Sequence, residues 1–506
     1  MDNFAYLGMS RPRRMAYKTK EWFFGIPKRT KNFFKNLPAK TASFRRKIAE
    51  PFVTLYDALV YGDWKTRLSF LFMGFGMVAH KQIIKGLLYF AFEIIFALFF
   101  ALWGRKYLSL FGSLGDTARQ DIMDPITGIP TVIEGDNSTL ILLYGTVCLI
   151  VILGFVYTYY SSVKQCFNLQ QIYNVNGKIK GFKDDLKALA DRQYHKTLMS
   201  VPMLGLVVFT IIPLIFMIFV AFTNWDKQHL APAKLFDWVG FANFDALLGG
   251  GGGGLAENAK FAYTFSDALL WTLVWAVFAT FSNYFLGMLV AILINKKGIK
   301  FKKLWRTFLV TTIAVPQFVS LMLISEMFGS DSIFNGVLEA LGLVTAENPL
   351  TYADNALWAR IFVILINVWV GVPYTVLSCT GILMNIPNDL YESAKIDGAS
   401  PFRMYTNITL PYMMFVMGPS LISSFVGNIN NFNVIFLLTG GVPINTDKFI
   451  AGDTDLLVTW LYKLTVNENN YKFASVIGIV VFVIVALISL IFYSKSKAVK
   501  NEEDFQ

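Results

Sequence analysis

Long apolar segments alternate with polar segments along most of this chain. Each apolar segment is close to the roughly 20 residues that an α-helix needs to cross a bilayer. The eight segments run over residues 86–103, 139–160, 199–222, 269–295, 308–328, 356–384, 412–439 and 473–493. We therefore predict an all-α integral membrane protein with eight transmembrane helices.

The composition excludes a water-soluble globular protein. Of the 506 residues, 55% are hydrophobic and only 16% are charged, and a soluble chain of this length cannot bury so many apolar side chains. The net charge of +11 lies mainly beside the membrane segments, which favours membrane lipid headgroups over nucleic acid as a partner. The three cysteines, Cys148, Cys166 and Cys379, show neither disulfide nor metal-ligand spacing. We expect no metal and no cofactor.

Lys and Arg are distributed unevenly among the polar segments. Residues 1–67 carry 15 Lys/Arg against five Asp/Glu, and residues 296–306 carry six Lys/Arg and no acidic residue. Residues 329–355 carry four acidic residues and no basic one. Because cytoplasmic loops are enriched in Lys and Arg, we predict cytoplasmic termini. The segments predicted to lie outside are 105–138, 224–265, 329–355 and 440–470.

The same pattern divides the chain into four regions. Residues 1–67 form a basic cytoplasmic or interfacial segment, and residues 68–161 form an interfacial segment followed by a hairpin of two transmembrane helices. Residues 162–198 form a cytoplasmic loop, and residues 199–495 form a six-helix core. The first region suits a membrane surface, although a solvated basic tail has the same composition. Its lack of an early apolar core predicts that no cleavable signal peptide is present. Glu93, inside the first helix, must face another helix or water.

A polar stretch, residues 391–411, separates the sixth and seventh apolar segments. Residues 391–396 contain no helix breaker, and Asp389 lies at their front, where a carboxylate suits a helix N-terminus. After Gly398, Ser400 can cap a second short helix with a proline in its first turn. We predict a helix–turn–helix on one membrane face, with a compact turn at Gly398 because any side chain adds bulk there. Pro411 is expected to start the next membrane helix.

This polar stretch resembles the EAA loop of ABC importer permeases. The motif appears here as Glu392-Ser393-Ala394, then Gly398, and finally an Ile-Thr-Leu-Pro run that ends at Pro411, with Ser393 as a small-for-small departure. The resemblance implies that residues 388–411 are a coupling loop that seats in a groove on a cytoplasmic ATPase. The residues that it implies for this coupling are Glu392, Ser393, Ala394, Asp397, Gly398, Leu410 and Pro411.

Polar residues recur at helical spacing inside two membrane segments. Asn367, Gly371 and Tyr374 stand at positions i, i+4 and i+7 of the sixth segment, and Ser424, Asn428 and Asn431 repeat that spacing in the seventh. Such amides either bond to neighbouring helices or offer donors and acceptors to sugar hydroxyls. In the second interpretation, Gly371 leaves room for a pyranose ring to approach the helix backbone.

A closer resemblance favours the sugar site. Residues 367–374 read NVWVGVPY and residues 424–432 read SFVGNINNF, and both resemble MalF-type maltose/maltodextrin permease subunits. The resemblance covers about 199–495, and the ABC transmembrane type-1 domain spans about 267–493. It implies that the last six helices form a type I ABC importer (MetI-like) permease core. The substrate residues that it implies are Asn367, Gly371, Tyr374, Ser424, Asn428 and Asn431, with Gln317 at the place of a family serine in the fifth helix.

The family resemblance also implies the partners. A second, MalG-like permease subunit forms a heterodimer with such a chain, two cytoplasmic ATPase subunits supply energy, and an extracellular sugar-binding protein delivers substrate. The glycine run at 249–254 lacks the residues of a phosphate-binding loop, so we interpret it as a flexible linker. The expected function is a cell-membrane permease subunit for malto-oligosaccharides or a related sugar, and the chain is not itself an enzyme.

Two other classes of function fit the sequence less well. An ion-coupled secondary transporter needs ionisable groups along its pathway, and the only acidic residue in the core segments is Glu326, near an outer end. A membrane enzyme is disfavoured because HExxH and GxSxG do not occur in the sequence and the membrane segments contain no clustered carboxylates. A permease for a different oligosaccharide remains the main alternative.

Overall fold

The computed structural model describes residues 49–123, 130–176, 181–250, 255–296, 298–329, 332–345 and 349–495. Most of the predicted basic segment, part of the glycine run and residues 496–506 therefore lie outside the described residues. Seven of the described helices are long and apolar enough to cross a membrane, and a bent helix pair makes an eighth if the pair counts as one span. The all-α membrane architecture that we predicted is confirmed.

The chain divides into two compact units. The first comprises residues 1–109 and 143–212, and the second comprises residues 110–142 and 213–506. The helices of the first unit are α1 (49–60), α2 (Trp64–Leu68), α3 (Phe75–Ala79), α4 (Ile83–Leu110), α5 (Ser138–Asn176), α6 (Phe182–Ala190) and α7 (Tyr194–Val220), of which α4, α5 and α7 continue into the second unit.

The first unit provides a partner for the carboxylate inside the first membrane helix. Glu93 Oε2 accepts a hydrogen bond of 2.8 Å from the backbone N–H of Met73, between α2 and α3. Nearby, the backbone N–H of Gly74 donates to Ser162 Oγ on α5 over 3.1 Å. Polar groups at membrane depth must be satisfied within the protein, and these bonds tie the short α2–α3 segment to the membrane helices.

The second unit contains the rest of the chain. Its strands β1 (Gln120–Met123) and β2 (Pro130–Ile133) pair as a small antiparallel hairpin, where the sequence had predicted only a loop. Its helices are α8 (Ala242–Leu247), α9 (Leu255–Asn295), α10 (Lys302–Ala314), α11 (Gln317–Met327), α12 (Ile333–Ala340), α13 (Ala356–Leu383), α14 (Asn388–Ile396), α15 (Pro401–Ile429), α16 (Phe432–Leu438), α17 (Leu457–Tyr462) and α18 (Tyr471–Lys495), with a short 3-10 turn at Tyr352–Asp354.

The predicted fifth span is broken. Helices α10 and α11 meet at an angle of 86°, whereas the sequence pattern predicted one continuous helix over 308–328. The break lies at Val315, whose φ of −78° and ψ of 125° are extended, and at Pro316. A proline disfavours helical geometry at the residue before it, and it lacks the N–H that a continuing helix requires.

An ion network holds the loop that follows α16 against α9 and α13. Lys448 Nζ lies 2.6 Å from an oxygen of Asp267 and 2.8 Å from an oxygen of Asp453, and Arg360 lies 3.0 Å from Asp267. Burial alone would raise the pKa of Asp453, but hydrogen bonds from Lys448 and Asn445 outweigh burial and lower that pKa. The network therefore keeps this carboxylate charged at neutral pH.

Candidate functional site

A polar cavity of about 320 Å³ lies among helices α9, α13 and α15. It is within the lower part of the size range of small-molecule sites. Three of the residues predicted to bind substrate, Tyr374, Ser424 and Asn428, line it. The other lining residues are Ala279, Thr280, Asn283, Tyr284, Thr375, Ser378, Met417, Ser420, Leu421 and Gly427. None of the lining residues carries a charge, and hydroxyl and amide groups supply the polarity.

Asn428 serves both as a cavity residue and as a link between helices. Its Nδ2 donates to Thr280 Oγ1 over 2.9 Å, and its backbone oxygen accepts from Trp275 Nε1 over 3.1 Å. Both partners belong to α9. Of the two interpretations that the sequence left open, the structure shows interhelical bonding for Asn428, and substrate binding by this cavity residue stays a prediction.

The remaining predicted substrate residues lie outside the cavity lining. Asn431 donates to Asn428 Oδ1 over 3.3 Å and caps α16 by accepting from the backbone N–H of Val434 over 3.4 Å. Asn367 is buried at 5% exposure, and its Nδ2 donates to no described residue. Gln317 is the first residue of α11, after the bend. These three amides stay predictions as substrate ligands.

Gly371 faces a neighbouring side chain rather than open space. A Cβ built on Gly371 would lie 2.6 Å from Asn283 Cγ on α9. One turn further along, a Cβ on Gly287 would lie 2.6 Å from Thr375 Cβ on α13. The two glycines therefore let α9 and α13 approach closely. Our expectation that Gly371 leaves room for a sugar ring is wrong, because the Asn283 amide fills that room. Gly371 stays a prediction as a substrate residue.

Sequence reasoning missed the contribution of α9 to the cavity. Thr280, Asn283 and Tyr284 line it from this helix, and Ser378 and Ser420 add hydroxyls from α13 and α15. The available signal was a polar pair, Thr280 and Asn283, three residues apart within a long apolar run. It was weaker than the repeated i, i+4, i+7 pattern of the other two helices.

The predicted coupling loop has the expected turn. Helix α14 ends before Gly398, which has a φ of +71°, and no atom lies within 4 Å of a Cβ built there. The glycine is therefore required by its left-handed backbone conformation, and our argument from bulk is wrong. Ser400 caps α15 by accepting from the backbone N–H of Arg403 over 3.3 Å. A π-helical turn, Tyr405–Thr409, follows in α15, and Pro411 lies in the first turn of the α-helical part Leu410–Ile429, as expected.

The same loop presents one surface outward and anchors the other in the core. The exposed members of the predicted coupling set are Glu392, Ser393, Asp397, Gly398 and Pro411. Ala394 is half-buried. Two large apolar side chains beside them, Ile396 and Phe402, are 87% and 75% exposed. Exposed apolar groups that are rimmed by polar residues are typical of protein-binding surfaces.

Two inward contacts connect the loop to the membrane helices. The hydroxyls of Tyr391 and Thr409 are 2.8 Å apart. Leu410 and Tyr405 pack against the buried cluster that contains Tyr284 and Met413. These contacts join the loop to the helices that line the cavity.

Comparisons with known proteins agree with this architecture. The family model for the inner membrane component of binding-protein-dependent transport systems matches residues 283–497. The galactooligosaccharides transport system permease protein GanP of Bacillus subtilis is 34% identical over 432 residues, covering 85% of this chain and 96% of that protein.

Two further relatives carry names of maltodextrin systems. The maltodextrin transport system permease protein MalC of Streptococcus pneumoniae is 31% identical over 449 residues, covering 87% of this chain and 97% of that protein. The maltose/maltodextrin transport system permease protein MalF of Escherichia coli is 30% identical over 272 residues, covering 53% of this chain and 51% of that protein.

Among the described residues, no group of three or more His, Cys, Asp or Glu is placed to hold a metal ion.

Proposed function

We infer the function from the family, because this chain belongs to the inner membrane components of binding-protein-dependent transport systems. We propose that it is the permease subunit of an ATP-driven oligosaccharide importer. The main support is similarity over more than four-fifths of the chain to permeases named for galactooligosaccharides and maltodextrin. The substrate that we propose is a malto-oligosaccharide, with a galacto-oligosaccharide as the alternative.

The polar cavity supports a sugar as substrate. Hydroxyl and amide side chains line it, and each can pair with a sugar hydroxyl as donor or acceptor. The Tyr374 ring is 49% exposed and can pack on an apolar sugar face. An ion-coupled transporter would need residues that carry or exchange charge on such a pathway, and no Asp, Glu, His, Lys or Arg lines this cavity.

The coupling loop supports a separate ATPase as energy source. The exposed apolar side chains of Ile396 and Phe402 fit a groove on a protein partner, and the packing of Leu410 connects that contact to the cavity. We propose that two cytoplasmic ATPase subunits and a second permease subunit complete the complex. An extracellular binding protein delivers the sugar, and both termini of this chain are cytoplasmic.

Reconstitution tests this function directly. The chain is coexpressed with its candidate partner subunits, the purified complex is inserted into proteoliposomes, and uptake of labelled malto- and galacto-oligosaccharides is measured with ATP and binding protein. We expect uptake that requires ATP and stops with vanadate. Uptake that depends on an ion gradient instead of ATP would contradict the proposal.

A further inference from the structure

Two adjacent residues of α9 line the polar cavity, and each carries an unpaired polar atom. Tyr284 is 1% exposed, and Asn283 lines the cavity next to it. The Tyr284 hydroxyl and Asn283 Oδ1 are both buried, and neither has a hydrogen-bond partner among the described residues. Buried polar groups at membrane depth are unfavourable unless they are paired, so both atoms have a capacity for hydrogen bonding that a ligand can use.

The packing of α9 against α13 holds the Asn283 amide in place. The amide lies over Gly371, and a Cβ there would be 2.6 Å from Asn283 Cγ. The side chain therefore packs against Gly371 beside the cavity. The neighbouring Tyr284 packs in a buried cluster with Met288 and Met417, which fixes its ring. Rigidly held polar groups lose little entropy when they bind a ligand.

The chemistry of the lining selects the kind of ligand. A carboxylate or an ammonium group would meet no opposite charge among the lining residues, and burying an unpaired charge is costly. A hydroxyl group both donates and accepts. It can donate to Asn283 Oδ1, and it can pair with the Tyr284 hydroxyl in either direction.

We propose that Asn283 and Tyr284 are substrate-binding residues that recognise hydroxyl groups of an uncharged sugar from the α9 side of the cavity. They face the same space as Tyr374, Ser424 and Asn428, which line it from α13 and α15. The inference rests on the proposed function and adds to it a third helix and two specific contacts. The sugar is then held from three sides instead of two.

The test uses the complete complex in proteoliposomes with a constant, saturating amount of its binding protein. The variants are Tyr284→Phe, which removes only a hydroxyl, and Asn283→Leu, which replaces the amide by an apolar group of similar size. The control is Tyr263→Phe, which removes a hydroxyl from the same helix at a side chain that is 54% exposed and outside the cavity lining. Complex size and quantity are measured for every variant.

Uptake is compared for the parent oligosaccharide and for analogues that each lack one hydroxyl. We expect Tyr284→Phe and Asn283→Leu to lower kcat/KM for the parent sugar by about 3- to 10-fold, the usual effect of one lost hydrogen bond. For each variant, we expect one analogue for which the variant and the wild-type complex have the same kcat/KM. That analogue lacks the hydroxyl that the substituted side chain would have contacted. The binding protein is common to all assays, so its own preference cancels in the variant-to-wild-type ratio.

The possible failures are distinguishable. If both variants lower uptake of every analogue by the same factor, or lower none, the two residues do not contact sugar and the inference is overturned. A variant that does not assemble is replaced by Asn283→Gln or Tyr284→Leu in the same comparison. If the wild-type complex transports none of these sugars, the proposed function itself is contradicted.

Discussion

The close contact between Gly371 and Asn283 gives a sharp prediction. In Gly371→Ala, the new Cβ would lie 2.6 Å from Asn283 Cγ, whereas carbon atoms in favourable contact are about 3.5–4.0 Å apart. Helices α9 and α13 must separate, or the amide must leave its position. Inserting a methyl group into such packing typically costs about 1–3 kcal/mol.

A matched control lies on the same helix. A Cβ on Gly381 meets no atom within 4 Å, so Gly381→Ala should not disturb packing. It should even stabilise the helix by up to about 1 kcal/mol, because alanine is a better helix former than glycine. We therefore expect Gly371→Ala to unfold at a lower temperature than wild type and Gly381→Ala to unfold at the same or a higher temperature, measured on purified complex by intrinsic fluorescence.

A double variant separates steric overlap from other causes. Asn283→Ala removes the amide that the new methyl group would meet. In that background, Gly371→Ala should therefore lower the free energy of unfolding by less. We expect a coupling free energy of about 0.5–3 kcal/mol, which is the range for residues in contact. If Gly371→Ala is as stable as Gly381→Ala, or if the two substitutions are additive, the close approach of α9 and α13 does not hold and the reasoning is refuted.

Three further outcomes follow from other parts of the chain. Gly398→Asn should retain more sugar-stimulated ATPase activity than Gly398→Ala, because asparagine adopts the left-handed conformation more readily, and the reverse order would indicate that bulk matters instead. The lowered pKa of Asp453 predicts that wild type exceeds Asp453→Asn in stability at pH 7 and that this advantage disappears only as the pH falls below about 3.9, the ordinary pKa of an aspartate. An advantage that is lost already near pH 6, in thermal unfolding followed across pH, would contradict the assignment. In a cysteine-free background, Asp354→Cys should react with an impermeant maleimide from outside and Lys300→Cys only after permeabilisation, and the opposite labelling would invert the proposed topology.

Properties that depend on neighbours in sequence were predictable from the sequence. A membrane span is defined by its own run of apolar residues, so the predicted spans recur, and the fifth is divided at the proline that the sequence displays. The cap at Ser400 and the turn at Gly398 are likewise local, because backbone conformation and capping involve only adjacent residues. The β1–β2 hairpin was missed because its two short strands carry little pattern.

The composition of the cavity was decided by tertiary packing. Helical spacing grouped Ser424 with Asn428 on one face of α15, and both line the cavity together with Tyr374 of α13, but it could not show which residues of α9 lie opposite them. Asn283 joins the cavity because Gly371, far away in sequence, admits it. The periodicity of a helix determines which residues share a face, whereas the approach of a second helix determines what that face meets.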